Sequence, residues 1–191
     1  RPRPGSRSKV TVAFSDWDAA VEAVREIAQS GLHPTNCRLL DKREAALHRV
    51  ASGREHVLLL GFEAASRPIR EPLEQALAIA VGKGGAAVKP PRYEDGAADD
   101  DQAASWKAAF LDAPYLQSVL LTMGLVVDTF ETACTWAVFP RLHAAIVSRV
   151  RQAMTDHCGA GRLSCRFTHV YPDGPAPYYT FIAPAREGEE V

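Results

Sequence analysis

Residues 165–184 read CRFTHVYPDGPAPYYTFIAP. Two runs of alternating residues flank a Pro-Asp-Gly centre, the composition of a tight turn between two strands. If Tyr171 pairs near Pro177, alternation sorts the side chains. Cys165, Phe167 and His169 then share a core face with Tyr179, Phe181 and Ala183, which makes His169 a hydrogen-bonded core histidine. Arg166, Thr168 and Val170 share the opposite face with Tyr178, Thr180 and Ile182. A structural hairpin needs only a wettable second face, and Thr and Tyr have good strand propensity in any case. A guanidinium, two hydroxyls and a phenol on one face also suit a ligand. Alternation alone leaves both readings open.

The rest of the chain builds outward from this hairpin. Residues 9–14 (KVTVAF) alternate as a strand. Trp17, Ala20, Val21, Val24, Ile27 and Ala28 then recur at helical spacing, with Ser15 placed to cap the start and Gly31 to close the end. A short strand at 36–41, a helical turn in KREAALHRV, and a strand at 55–63 follow. Ile69, Leu73, Ala76, Leu77 and Val81 mark one face of a further helix, which stops at glycines before a short strand, AAVK. The cluster GKGG (82–85) lacks the spacing and the Ser/Thr of a phosphate-binding loop. Residues 90–101, PPRYEDGAADDD, read as a solvated acidic loop without recurring metal-ligand spacing, so no metal site is assigned. A helix, a strand at 125–132, a long helix carrying Phe139 to Met154, and the hairpin complete the order. This order predicts an α+β fold: an antiparallel sheet with helices packed on one face, related to the ferredoxin-like split βαβ. The other face meets water, another domain or a ligand.

Bulk composition narrows the classes. A chain of 191 residues buries one good core, and a net charge of -1 argues against a nucleic-acid footprint. An RNA-binding module would also need paired aromatics in an RNP-like motif. No apolar run reaches the ~18 residues of a membrane span, and no signal-like segment opens the chain. The four cysteines, Cys37, Cys134, Cys158 and Cys165, fit neither a CxxC pattern nor a secreted disulfide scaffold, as expected of idle thiols in a reducing cytoplasm. The opening RPRPGSRSK lacks Met and reads as a connecting segment, so a piece of a longer protein is expected.

Three stretches carry a resemblance: GLHPTNCRLLD (31–41), VVDTFETACTW (126–136) and CRFTHVYPDGPAPYYTFIAPAREGEE (165–190). Together, in this order, they resemble the cap domain of FAD-linked oxidases of the vanillyl-alcohol-oxidase superfamily, most of all bacterial relatives of alkyldihydroxyacetonephosphate synthase. The resemblance implies that residues 1–191 form a single cap domain, with a flavin-binding domain before it and a His-rich segment after it. FAD would then belong to the parent protein and would not be bound by this piece alone, which should be inactive. The implied partners are the flavin-binding domain of the same chain and a small-molecule substrate. A homodimer and a peripheral membrane contact of the parent are further expectations, and nucleic acid is not.

The resemblance also implies site residues. The family's catalytic tyrosine matches Tyr178, which would act as an acid/base beside the flavin in ether-lipid synthesis. Phenols ordinarily ionise near pH ~10, so such a role calls for a neighbouring cation, and Arg166 is the candidate. Arg166, Thr168 and Gln117 would bind substrate. Where the synthases carry an arginine for the substrate's phosphate, this chain has Gln117, and a neutral amide lacks the charged bidentate grip of a guanidinium. On the bland reading Gln117 is an exposed helix residue beside Leu116, Val119 and Leu120 at core spacing. Two alternatives stand beside alkyl transfer: the cap of an FAD-dependent 2-hydroxy-acid oxidase or dehydrogenase, and a free-standing ferredoxin-like regulatory module that binds a small molecule.

Overall fold

The computed structural model describes residues 5–51, 53–95 and 117–185. The chain runs β1 (Ser6–Phe14), α1 (Trp17–Gln29), β2 (Asn36–Leu40), α2 (Lys42–Leu47), β3 (His56–Ala64), α3 (Arg70–Gly82), β4 (Ala86–Ala87) and β5 (Arg92–Asp95). After the undescribed stretch come a helical segment at 117–122 (α4), then β6 (Leu125–Glu131), α5 (Phe139–Cys158), β7 (Arg162–Val170) and β8 (Pro175–Pro184). All the described strands form one antiparallel sheet in the order β4-β1-β3-β2-β7-β8-β6, with β5 also beside β1. The first half, β4-β1-β3-β2 with α1 and α3 as crossovers, is the split βαβ arrangement. The second half extends the sheet from the β2 edge, so the α+β antiparallel sheet is as the sequence predicts.

One apolar core binds α1, α3 and α5 to one sheet face. Val10, Val12 and Phe14 of β1, Leu58, Leu60 and Phe62 of β3, and Leu163, Cys165 and Phe167 of β7 all point into it. The ring of Phe167 lies edge-on to Trp17, Trp136 and Phe139 at centroid distances of 5.7, 6.1 and 5.0 Å. Among the described residues, the helix that crosses the opposite face is the short α2. There Ala45 packs on Leu40 and Val57, residues that alternate with the main-core Leu39 and Leu58.

Several local details differ from the sequence reading. Asp16, not Ser15, caps α1: its carboxylate accepts from the Ala19 amide at 2.8 Å. Residues 92–95 form a strand rather than loop, because the free edge of β1 offers a ladder and Tyr93 packs against the core. Residues 96–101 of the acidic stretch lie outside the described residues. Val81 is half exposed, and Val119 is 53% exposed rather than in the core, while the side chain of Leu116 is not described.

Candidate functional site

The hairpin closes on a Tyr171–Gly174 turn, with Tyr171 N–H donating to Gly174 O at 2.9 Å and Gly174 N–H to Tyr171 O at 3.2 Å. Tyr171 therefore pairs with Gly174, not near Pro177. Gly174 is required here, since a Cβ would lie 1.8 Å from the carbonyl oxygen of Cys134. The register runs Cys165↔Tyr179 and Arg166↔Tyr178 up to Phe167↔Pro177, and a bulge then brings His169 opposite Ala176. One extra residue reverses the alternation beyond it. His169 is thus exposed, not a core histidine, and Val170 packs against the core instead of joining the decorated face.

Before the bulge the faces are as alternation predicts. Tyr179 is fully buried on the core side, with its hydroxyl 3.0 Å from His143 Nδ1. Tyr178 points the other way and is half-buried. Its hydroxyl donates to Thr129 Oγ1 of β6 at 2.8 Å, and the guanidinium carbon of Arg166 sits 4.0 Å from its ring centroid. Thr168 Oγ1 donates to Glu131 Oε1 at 2.5 Å, and Glu131 is the β6 register partner of Tyr178. The structure therefore brings Tyr178, Arg166 and Thr168 into one neighbourhood.

Gln117 stands apart from that group. It is exposed on α4, and its Nε2 donates to the Val127 carbonyl of β6 at 3.0 Å. That bond ties α4 to the sheet edge.

Behind Arg166 lies a buried network. Asp41 caps α2 by accepting from the Glu44 amide at 2.7 Å and also accepts from the Cys165 amide at 2.8 Å, which pins α2 against β7. Glu44 is fully buried there, and its carboxylate receives Arg166 Nη1 and, at 2.5 Å, Ser164 Oγ. His48 Nε2, one turn on, lies 3.0 Å from Glu44 Oε1 and 3.2 Å from Arg166 Nη1. Burial alone would push the Glu44 carboxyl up. The hydrogen bonds from His48 and Ser164 and the charges of Arg166 and His48 outweigh it and hold the group below its ordinary value. A charge this buried is tolerable only when paired and hydrogen-bonded.

Sequence reasoning missed Glu44, His48, Ser164, Thr129 and Glu131. Glu44 occupies a position in KREAALH that would be polar on any surface helix. Its only sequence signal is the small Ala45 beside it, which is too weak to distinguish burial.

Chemically, the arrangement offers a phenol hydroxyl on the sheet face opposite the helical core. A guanidinium held by a buried carboxylate lies against its ring. A planar or oxygen-bearing small molecule laid on this face would meet the Tyr178, Thr129 and Thr168 hydroxyls.

Comparison with known proteins agrees with this architecture. The family model described as FAD linked oxidases, C-terminal domain, matches residues 3–190, and the chain belongs to that family. Two crystal forms of alkyldihydroxyacetonephosphate synthase share the fold. One has a TM-score of 0.74 at 20% identity and the other 0.76 at 18%, each over 98% of this chain. The chain spans only 38% and 37% of the length of those two structures. No curated protein sequence matches the chain.

Proposed function

We propose that this chain is the substrate-facing cap of an FAD-dependent oxidoreductase that resembles alkyldihydroxyacetonephosphate synthase, with Tyr178 as its acid/base residue. Arg166, Thr168 and Gln117 are the proposed substrate-binding residues, and an ether-lipid precursor is the proposed substrate class. The observation that carries the reading is the Tyr178 hydroxyl on the sheet face opposite the helical core, its ring backed by a guanidinium that a buried carboxylate holds in place.

The residues present fit one wall of a flavin site. The face opposite the helical core offers hydroxyl groups from Tyr178 and Thr129 to a flavin edge or to substrate. The glycines at 82–85 instead close α3, with Gly85 against Phe14 and Val12, so they are not a pyrophosphate cradle. The cradle belongs to a flavin-binding domain of the parent chain, which is the expected partner. FAD, when bound, supplies the redox chemistry. This chain's residues orient the substrate, exclude water from it, and hold or move a proton at the Tyr178 hydroxyl.

Replacing Tyr178 by Phe in the full-length protein tests the reading. The ring, its stacking and the fold are kept, and only the hydroxyl is lost. Turnover should fall by roughly 10²–10⁴-fold, the usual range for a lost proton-transfer group. Near-normal turnover with flavin bound would reduce Tyr178 to a packing role.

A second reading, the cap of a 2-hydroxy-acid oxidase or dehydrogenase, is favoured by Gln117. A neutral amide replaces the expected phosphate-binding cation there, and this one already serves the Val127 carbonyl. The free-standing regulatory module is the weaker alternative, since family membership and the greater length of the matched synthases both favour a parent enzyme.

A further inference from the structure

Among the described residues β2 and β7 pair at one position, Leu40↔Arg166, and part on one side of it. On the other side β2 has ended, and the chain turns off the sheet through Asp41 into α2. There the start of β3 at His56 and residues 163–165 of β7 floor a groove on the helical side of the sheet. Its walls are Trp17 at the start of α1 and one face of α5, where His143, Val147 and Arg151 follow at intervals of four. The groove has a volume of about 290 Å³, near the lower end of the range for small-molecule sites.

The wall carries polar atoms that the chain itself leaves unsatisfied. Among the described residues four buried side-chain polar atoms have no hydrogen-bond partner, and two of them, Trp17 Nε1 and His56 Nδ1, belong to residues of this groove. His56 is only 9% exposed. An unpaired buried donor is costly, and an indole N–H can only donate, so whatever satisfies it must bring an acceptor. Cations stand at the rim. Lys42 and Arg151 are exposed and make no ion pair with a described residue, while Arg43 already gives Nη1 to the Leu163 carbonyl. Asp41 is the one carboxylate among the described lining residues, and the Glu44 and Cys165 amides occupy its two oxygens, at 2.7 and 2.8 Å. Asp16 and Asp18 act on His56 and His143 from outside the lining, and Asp16 is engaged with the Ala19 amide. The rest of the lining is rings and aliphatic groups. Trp17 lies 5.3 Å from His56 and 5.6 Å from His143 between ring centroids, and His143 Nδ1 is engaged with the Tyr179 hydroxyl. Such a wall favours offset or edge-on contact with a further ring.

We propose that this groove binds a small aromatic carboxylate, with Lys42 and Arg151 as its charged grip and the Trp17 indole N–H as its buried donor. The two unpaired nitrogens are closed off from solvent, so the ligand parts the lining side chains to reach them. The site is built from this chain alone, lies across the sheet from Tyr178 and does not rest on the flavin reading.

Calorimetric titration of the full-length protein with sodium benzoate tests it, with sodium acetate as the carboxylate without a ring and sodium chloride as the ionic control. Saturable benzoate binding, tighter than acetate or chloride, is expected. Lys42→Gln and Arg151→Gln, both at exposed positions, should each weaken it by roughly 10- to 150-fold, the factor for one charge-assisted bond. Trp17→Phe, which keeps a ring and removes the N–H, should weaken it by roughly 2- to 13-fold, the factor for a neutral hydrogen bond. The two cations sit on different helices, α2 and α5, so either variant decides if the other fails to fold. Absence of saturable benzoate binding, or equal affinity for acetate, would overturn the proposal. So would wild-type affinity in the folded Lys42 and Arg151 variants, which would place benzoate elsewhere on the protein.

Discussion

Arg166 stacks on Tyr178 rather than bonding its hydroxyl. The guanidinium carbon lies 4.0 Å from the ring centroid, while the phenol proton goes to Thr129. A cation over an aromatic face is attracted by the ring's quadrupole, at about 0.5–2 kcal/mol depending on desolvation. Arg166 therefore meets Tyr178 through the ring and leaves the hydroxyl to its bond with Thr129. This geometry depends on Glu44, which holds the far side of the guanidinium.

Glu44→Ala should accordingly be costly. It leaves Arg166, only 13% exposed, beside an empty site. Removing one partner of a buried pair typically destabilises by about 3–5 kcal/mol. Urea unfolding of the variant measures this directly, and a loss under ~1 kcal/mol would mean that water takes the carboxylate's place.

The core should show a comparable sensitivity at Phe167, whose fully buried ring meets three aromatic neighbours. Phe167→Ala should cost about 3–5 kcal/mol by lost transfer energy and cavity formation. A smaller loss in the same urea experiment would show that Trp17 and Phe139 collapse into the gap.

Stability should decline as pH falls from 7.5 to 5.5. Burial first, then Lys42, lowers the proton affinity of His56, and burial first, then Arg151, lowers that of His143, both from an ordinary value of 6.5. The unfolded chain then binds more protons than the folded one once pH drops below about 6.5, so the folded state loses ground. Glu44, held below its ordinary 4.5, adds a loss of the same sign at lower pH. Asp41, raised mainly by burial, acts in the opposite sense but only in that acid range. Thermal melts at the two pH values should show the lower midpoint at 5.5, and a His56→Gln, His143→Gln double variant should flatten the difference. Equal midpoints in the wild type would contradict the assignment.

On the proposed reading, in which another domain of the parent cradles the flavin, the 191-residue chain purified alone should be colourless. An absorption spectrum settles the point. A yellow preparation with stoichiometric FAD would place the cofactor site in this chain.

Gln117→Arg in the full-length protein should tighten dihydroxyacetone phosphate by roughly 10- to 150-fold if the position faces the substrate. Equal affinity in a side-by-side titration would leave Gln117 as the residue that ties α4 to β6 and nothing more.

The order of helices and strands was legible because periodicity is a local property. Alternation in CRFTH and YYTFIA places Phe167 and Tyr179 inside and Arg166 and Tyr178 outside, as the structure has it. The resemblance of three stretches added the family and Tyr178, which no periodicity could supply. What local patterns could not carry was register and partnership. The bulge that turns His169 outward is a feature of how β7 and β8 pair, and pairing acts across two strands rather than along one. Glu44 is buried only because α2 folds back across β7, where Arg166 and Ser164 wait 120 or more residues away in sequence. Nothing within KREAALH distinguishes such a carboxylate from a solvated one, and the parting of β2 from β7 has no trace in either strand's own residues. The sequence determined which segments are helix or strand, β5 excepted, and which way most side chains face. Tertiary structure alone decided which charges meet, because burial and pairing are set by residues that become neighbours only once the sheet has closed.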